Sequence, residues 1–403
     1  MWFLFTILCL LSSPSFIKNV DAARNTTCLH KADYRFHQNP PIDTKALRET
    51  LARYNKLHGE AEQRQSIKEA FEAEHKDDVK NKYVYVEMST SGLGNRLMAT
   101  ISSFLLALLT DRVLVIRSTS FDAREVFCDP FNASTWFVPE DVDMTKLDRG
   151  GKVKRIDGSY AGEINQMSRD DFATLHQEPI WYIREMEQYF LPVFFANPHY
   201  VPKLSVWFPA RNVATILTRE LIHPSDNVWK NILDTWSQRN AMDYTVGMQV
   251  RWPTIGIGNA LDCFEHGLNE DRTHFFVASL RNVKEFLVHQ NPNWMVTQKY
   301  MEGAEQHHLQ QTQHALHDMW IMSLTDETVV SAHSTFGYII MAVKGETCLM
   351  AKENLGDGDC FYPDSHEPCY HLPPQGFDYK QSDYVSSFVD CEDAPHHGVK
   401  LRV

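Results

Sequence analysis

Apolar positions recur at helical spacing early in the chain, at Leu47, Leu51, Tyr54 and Leu57, then at Ile67, Ala70 and Phe71. The positions between them are mostly charged. Residues 43–80 therefore read as amphipathic helix, a stem or an N-terminal cap rather than a core element. The texture then changes. Tyr83–Met88 is a β-rich run, Ser89–Gly94 a turn, Asn95–Thr110 apolar almost all round, and Val113–Ile116 a short apolar run. Strand, glycine turn, buried helix, buried strand is one βαβ unit of an α/β domain.

The alternation is weaker in the rest of the first half. Ile180–Ile183 predicts a strand, and 210–222 and 226–239 predict helices, the second with Ser225 as its N-cap. A second series begins at Tyr244. Strands are expected at Tyr244–Val250, His274–Ala278, Trp294–Val296, Thr328–Val330 and Thr347–Met350. Helices are expected at Val283–Val288, 304–322 and Gly337–Val343. Two such series predict an α/β fold of two Rossmann-like domains facing each other across a cleft.

Composition narrows the class. Of 403 residues, 43% are hydrophobic and 23% charged, enough for a sizeable core and too ordered for a disordered chain. The 39 basic against 52 acidic residues leave a formal charge of −13, which argues against a nucleic-acid binder but leaves room for an anionic ligand in one basic pocket. Collagen, coiled coil and a polytopic membrane protein are excluded as well.

The apolar run Trp2–Leu11 is too short to span a bilayer as a helix. With Val20-Asp21-Ala22 as a small-residue cleavage site, it reads as a secretory signal peptide; a single type II membrane anchor is the other reading. Either delivers the chain to the secretory lumen. Two sequons, at Asn25 and Asn132, agree with that compartment. Cys9 falls in the leader and seven cysteines remain, so disulfides with one thiol left over are expected. No Cys-x-x-Cys spacing points to zinc.

Open α/β sheets bind ligands at the carboxyl ends of their strands. Tyr244–Val250 ends in Arg251, and Thr328–Val330 ends in Ser331-Ala332-His333-Ser334-Thr335-Phe336-Gly337 before a helix. A helix N-terminus, the Ser334 and Thr335 hydroxyls and a guanidinium would make a diphosphate pocket without a metal. Plain helix capping and a surface ion pair would account for the same residues. Gly92-x-Gly94 and Gly256-x-Gly258 lack the third glycine of a dinucleotide fingerprint. The Asp141-x-Asp143 and Asp357-x-Asp359 triplets would suit Mn²⁺ or Mg²⁺, but read better as solvated loop carboxylates. His307, His308, His314 and His317 read as a polar helix face rather than a zinc site.

In order along the chain, these segments resemble the plant xyloglucan fucosyltransferase family. Ser91-Gly92-Leu93-Gly94-Asn95-Arg96 opens the match, which runs on through Ala107–Leu114, Phe127-Cys128-Asp129-Pro130-Phe131 and Trp136. His223-Pro224, Asn227-Val228-Trp229 and Val246–Arg251 follow. The longest pieces are Ser323-Leu324-Thr325-Asp326 leading to Ser334-Thr335-Phe336-Gly337-Tyr338, and Glu367-Pro368-Cys369-Tyr370-His371 with Pro373-Pro374. Leu47-Arg48 and Tyr54–His58 match the family's stem-proximal helix. Coverage is about Cys28 to Tyr379. His333 departs from the family, which usually has Trp there.

The resemblance implies a GT-B fold, a GDP-fucose donor, no obligatory metal, and an oligosaccharide or polysaccharide acceptor. It also implies Golgi residence, a role in cell-wall biogenesis, and inverting transfer to the 2-OH of a galactosyl residue. Arg251 would stabilise the leaving group. Asp318, Asp326, Ser334, Thr335, Phe336 and Gly337 would complete the donor site. Of these, Asp318, Asp326 and Ser334 fit the Asp-x₇-Asp-x₇-Ser pattern of related enzymes, with Asp318 reading guanine. Gly92, Gly94, Asn95 and Arg96 would shape the cleft from the opposite domain. Cys360 and Cys369 match family cysteines flanking a short Pro-containing loop and are expected to pair.

The expected division is therefore 1–22 leader or anchor, 23–80 helical stem, 81–240 acceptor-side domain, 241–380 donor domain and 381–403 tail. A metal-dependent glycosyltransferase using an Asp-x-Asp triplet, and a non-catalytic carbohydrate-binding pseudo-enzyme, are the alternatives.

Overall fold

The computed structural model describes residues 44–402 except 133, 159–160, 240–243, 251–262, 264–272, 280–294, 297–307, 353–359, 378, 382 and 395–396. Two helices lead, α1 (Lys45–Arg64) and α2 (Ile67–Glu72). Both are side-chain capped: Thr44 accepts from the Leu47 amide, and Ser66 and Glu69 form a reciprocal capping box.

The first sheet contains β1 (Tyr83–Met88), β2 (Val113–Ser118), β3 (Val153–Asp157) and β4 (Ile180–Arg184). It is wholly parallel, in the order β2-β1-β4-β3. Helix α3 (Leu93–Thr110) crosses from β1 to β2 and is buried on every face. It is long and apolar enough to cross a membrane, yet here it is the core helix. Short helices α4 (Ala161–Met167) and α5 (Phe172–Leu175) flank β3 and β4. Then α6 (Val201–Trp207), α7 (Val213–Leu221) and α8 (Asp226–Ser237) lead to the second sheet. Ser225 caps α8 as expected, accepting from the Val228 amide.

The second sheet has the order β10-β9-β8-β5-β6-β7. Its strands are β5 (Tyr244–Gln249), β6 (Thr273–Ala278), β7 (Met295–Val296), β8 (Glu327–Ser331), β9 (Leu349–Ala351) and β10 (Cys360–Phe361), of which only β10 runs antiparallel. Helix α9 (His308–Leu324) precedes β8, and α10 (Thr335–Lys344) joins β8 to β9. The tail forms an antiparallel pair, β11 (Phe388–Asp390) with β12 (Val399–Leu401). Helices α3, α7, α9 and α10 carry one continuous apolar core between the sheets.

The leading helices are not a detached stem. β2 is an edge strand, and α1 covers that edge. The Leu114 amide donates to the Tyr54 hydroxyl at 2.8 Å, and its carbonyl lies 3.0 Å from His58 Nε2. Leu47, Tyr54, His58 and Ala61 are buried, so the amphipathic stripe is core. Helical period alone does not say what a stripe faces, and here it faces a strand edge whose polar groups need partners.

The disulfides correct one expectation. Cys360 and Cys369 do not pair with each other: Cys360 is bonded to Cys263, and Cys369 to Cys391. Antiparallel pairing of β10 with β9 turns Cys360 onto the apolar face that holds Cys263. A bridge between Tyr370 and Val399 draws the tail across and brings Cys391 to Cys369. Among the described residues the free thiol is Cys348, which is buried, and burial pushes its pKa up to about 12.

Candidate functional site

The two sheets meet at matching places. In the first, β1 runs through Ser89–Gly92 into α3; in the second, β8 runs through Ala332–Ser334 into α10. Both helices thus begin at the carboxyl ends of parallel strands, and the two N-termini touch. The Thr335 hydroxyl donates to Asn95 Oδ1 at 2.5 Å. Gly94 is so close that a Cβ there would lie 2.7 Å from the Phe336 amide nitrogen and from both the carbonyl carbon and Oγ1 of Thr335. Any side chain at Gly94 would push the helices apart. Gly92 has open space around its Cβ position.

Neither helix is capped by its N-cap side chain, Gly92 in one and Ser334 in the other. The first-turn amides and the positive ends of both dipoles are therefore directed at the junction without a local carboxylate or hydroxyl cap. Gly337 serves packing: a Cβ there would lie 2.9 Å from Cβ of Val330, so the glycine lets α10 start flush on β8. The end of β5 is tied to the same loop, because Ser331 donates from its amide to Gln249 Oε1 at 2.9 Å and from its hydroxyl to the Gln249 carbonyl at 3.0 Å.

Arg96, one turn into α3, is buried. Its Nη2 donates to Thr312 Oγ1 of α9 at 3.2 Å, and its guanidinium lies 5.4 Å from the centroid of the Phe121 ring. Nε is buried without a hydrogen-bond partner. Burial lowers its pKa to about 10, which leaves it charged at neutral pH.

The β8–α10 loop is held from behind. His333 has φ 54°, a left-handed conformation unusual for a residue with a side chain. Its amide donates to Asp393 Oδ2 at 2.9 Å. The same oxygen accepts from the Tyr338 hydroxyl at 2.9 Å and lies 3.2 Å from His371 Nε2. Burial would raise the Asp393 pKa, but the hydrogen bond and proximity of His371, then the His333 amide and Tyr338 hydroxyl, outweigh it and hold the carboxyl at about 2. Asp393 thus acts as an ionised clamp that maintains the turn into α10. It comes from the tail, two residues beyond the cysteine bonded to Cys369. Local pattern gave no signal for it. The only hint was that Tyr338 and His371, two of its partners, fall in the long motif stretches.

The structure brings Gly94, Asn95, Ser334, Thr335, Phe336 and Gly337 together. Arg251 and Asn25 lie outside the described residues, as do Gly256–Gly258 and Asp357–Asp359. Asp318 sits in the middle of α9, buried, with its carboxylate 3.1 Å from His317 Nδ1. His317 in turn lies 2.9 Å from Thr235 Oγ1 of α8. Asp326 does not join the group. It precedes β8 and accepts from the amide and hydroxyl of Thr245 at 2.8 and 2.7 Å, clamping the amino ends of β5 and β8. Ser334 follows the carboxyl end of the same strand, and five residues of β8 separate the two ends by about 17 Å. Equal sequence spacing thus puts Asp326 and Ser334 at opposite ends of the sheet.

Asp141 pairs with Lys68 at 2.5 Å, and Asp143 caps a turn by accepting from Thr145. Among the described residues one cluster has ligand spacing for a metal, Cys369, Cys391 and Asp393, and its sulfurs are joined in the disulfide. Asn132 is exposed, its amide donating to Asn55 Oδ1 at 2.8 Å.

Two α/β bodies of parallel strands meeting at their carboxyl ends are the arrangement of GT-B-type glycosyltransferases. The family model described as xyloglucan fucosyltransferase matches residues 6–176, 160–269 and 288–380, and the chain belongs to that family. A galactoside 2-alpha-L-fucosyltransferase of Pisum sativum is 28% identical over 373 residues; the match covers 77% of this chain and 66% of the relative. The Arabidopsis thaliana protein of the same name is 28% identical over 400 residues, covering 80% and 70%. A solved structure of a mutant Arabidopsis thaliana FUT1 in complex with GDP superposes with a TM-score of 0.71 at 25% identity, covering 89% of this chain and 92% of that one.

Proposed function

We propose that this protein is a fucosyltransferase that moves L-fucose from GDP-fucose to a sugar hydroxyl, the 2-OH of a galactosyl residue. Family membership supports the donor and the reaction, since relatives named for that activity match most of the chain and a GDP-bound neighbour shares its fold. The observation that carries the reading is the meeting of two side-chain-uncapped helix N-termini at the carboxyl ends of both sheets.

In the transfer, the bond from fucose C1 to the phosphate oxygen breaks and its electron pair leaves with GDP. A bond forms from C1 to the acceptor oxygen on the opposite face, with inversion, and the acceptor hydroxyl loses its proton. Charge builds on the diphosphate. The amides at Thr335–Gly337, the Ser334 hydroxyl and the α10 dipole are suited to receive it, and Arg251 would add a guanidinium fork. Arg251 follows Gln249 and Val250 in sequence, and Gln249 is tied to Ser331 at the entry to that loop. Asp318 would read guanine. The donor body is 241–380, and 81–240 is the acceptor side. These groups stabilise the leaving group by themselves, so the reading includes activity without a divalent cation.

The disulfides Cys263–Cys360 and Cys369–Cys391 favour an oxidising compartment. With the N-terminal apolar run and the sequons at Asn25 and Asn132, they support a glycosylated enzyme of the Golgi lumen.

The test is to incubate purified protein with GDP-fucose and a galactose-terminated oligosaccharide in excess EDTA. Linkage analysis should find fucose on the galactose 2-OH. Arg251→Ala should lower kcat/KM by about 10² or more at unchanged Tm, and Lys should rescue it only in part. Oligosaccharide binding without transfer or donor hydrolysis would replace the enzyme by a carbohydrate-binding protein.

A further inference from the structure

A cavity of about 430 Å³ opens at the carboxyl end of β2. Arg117, Ser118, Ser120, Phe121, Phe137 and Glu140 line it. From this cavity we infer the seat of the acceptor glycan; the inference rests on the fucosyltransferase reading and names the acceptor subsite for it.

Position comes first. β2 lies beside β1 with Ser118 opposite Met88, so the cavity is next to the turn into α3. Phe121 lines the cavity and also has the Arg96 guanidinium 5.4 Å from its ring centroid. Arg96 follows Asn95, which accepts from Thr335 at the start of α10. A single wall, Phe121–Arg96–Asn95–Thr335, therefore runs from the cavity to the junction that would hold the donor.

The chemistry of the lining selects the ligand class. Arg117 brings a half-buried guanidinium stem to the lining, and its Nη1, turned inward from the cavity, makes no hydrogen bond within the protein. The rings of Phe121 and Phe137 offer apolar faces, and Ser118 and Ser120 offer hydroxyls. Charge nearly cancels around the cavity: Asp122 accepts from Arg124 at 2.8 Å, and Glu140 pairs with the same guanidinium at 3.5 Å. The lining itself carries one arginine, Arg117, against the two carboxylates Asp122 and Glu140, so an anionic ligand gains little. A neutral ligand with an apolar C–H face and a ring of hydroxyls fits, which is the description of a pyranose. The volume is that of a small-ligand site, and it holds a short oligosaccharide end rather than a polymer chain.

The test uses two variants. Arg117→Met removes a lining guanidinium while keeping length, and Ser120→Trp fills the cavity from a half-buried loop position. Each is compared with wild type for Tm, for GDP binding by calorimetry, and for binding of a galactose-terminated oligosaccharide by saturation-transfer NMR. Acceptor and donor KM are measured alongside. The expected result is an acceptor KM raised tenfold or more and a weakened oligosaccharide signal, with GDP affinity within twofold of wild type. Acceptor KM and oligosaccharide binding that withstand Ser120→Trp in a protein of unchanged Tm would overturn the assignment. The two readings separate. Cavity-dependent oligosaccharide binding without GDP binding would sink the donor reading and uphold this one. GDP binding with cavity-independent oligosaccharide binding would do the reverse.

Discussion

The turns from β1 into α3 and from β8 into α10 have the same topology and are built by different means. The first is made of small residues, Ser89 to Gly92, and its close approach depends on the missing Cβ of Gly94. The second contains a left-handed histidine and is held by an ionised aspartate from the far end of the chain. One junction is shaped by what is absent, the other by a clamp that opposes strain. A close approach needs only local residues that leave room. A strained turn needs partners that over-determine it, and those come from wherever the chain returns.

The largest break in this comparison is expected from Gly94→Ala. The added methyl meets backbone at 2.7 Å, so the junction must open rather than a side chain rotate. Fucosyl transfer should fall by roughly 10² or more, with a stability cost of about 1–3 kcal/mol, typical of overpacking. Gly92→Ala is the control, with open space at its Cβ position, and should keep both within a few-fold of wild type. Similar losses in steady-state kinetics for the two variants would refute the distinction.

Asp393→Asn tests the other junction. An amide cannot reproduce the charge facing His371 while also accepting from His333 and Tyr338. The turn should loosen, raising KM for GDP-fucose about tenfold with a smaller change in kcat. Equal donor KM for variant and wild type would make the clamp merely architectural.

A milder contrast separates the two acids of the Asp-x₇-Asp-x₇-Ser pattern. Asp318→Ala should raise donor KM more than it lowers kcat, as expected of a contact far from the reacting carbon. Asp326→Ala should leave donor KM alone and cost about 1–3 kcal/mol of stability, because it removes the acceptor for the Thr245 amide and hydroxyl. Urea denaturation and donor titration distinguish the pair.

The effects on transfer are smallest for two buried groups whose signature is a pH slope in stability. Burial raises the Glu367 pKa to about 8; its carboxyl oxygens sit 2.9 Å from the Ala214 amide and 3.1 Å from the Tyr189 hydroxyl. The folded chain holds that proton to higher pH than the unfolded chain does. Its contribution is full below the ordinary carboxyl value of 4.5 and is lost as pH rises to 8, by at most about 1.4 kcal/mol per pH unit. Glu367→Gln should flatten this alkaline limb. His58 acts on the other side. Burial lowers its pKa to about 4, so stability present above 6.5 is lost as pH falls toward 4. Tm against pH for the two variants Glu367→Gln and His58→Gln should show each limb flattening alone.

Much of this molecule is legible in its residues. The period-two and continuous apolar runs mark β1, β2, β4, β5, β6 and β8 within a residue or two, and the apolar helix between β1 and β2 is unmistakable. The turn residues at Gly92–Arg96 and Ser334–Gly337 announce the junction from both sides. These features are local, since period, turn chemistry and helix start depend on residues a few positions apart. β3, with its charged Lys154, Arg155 and Asp157, carries no such pattern, and only pairing with β4 makes it a strand.

Tertiary structure decided the rest. It turned the leading helix into the cover of an edge strand, through Tyr54 and His58. It paired Cys360 with Cys263 across 97 residues and Cys369 with Cys391. It set Asp326 at the amino end of the sheet and drew Asp393 from the tail to the β8–α10 turn. The physical reason is common to all four. A disulfide, an edge hydrogen bond and a buried carboxylate are satisfied by whatever folding brings within about 3 Å, and sequence spacing carries no information about that distance once the chain has turned back on itself.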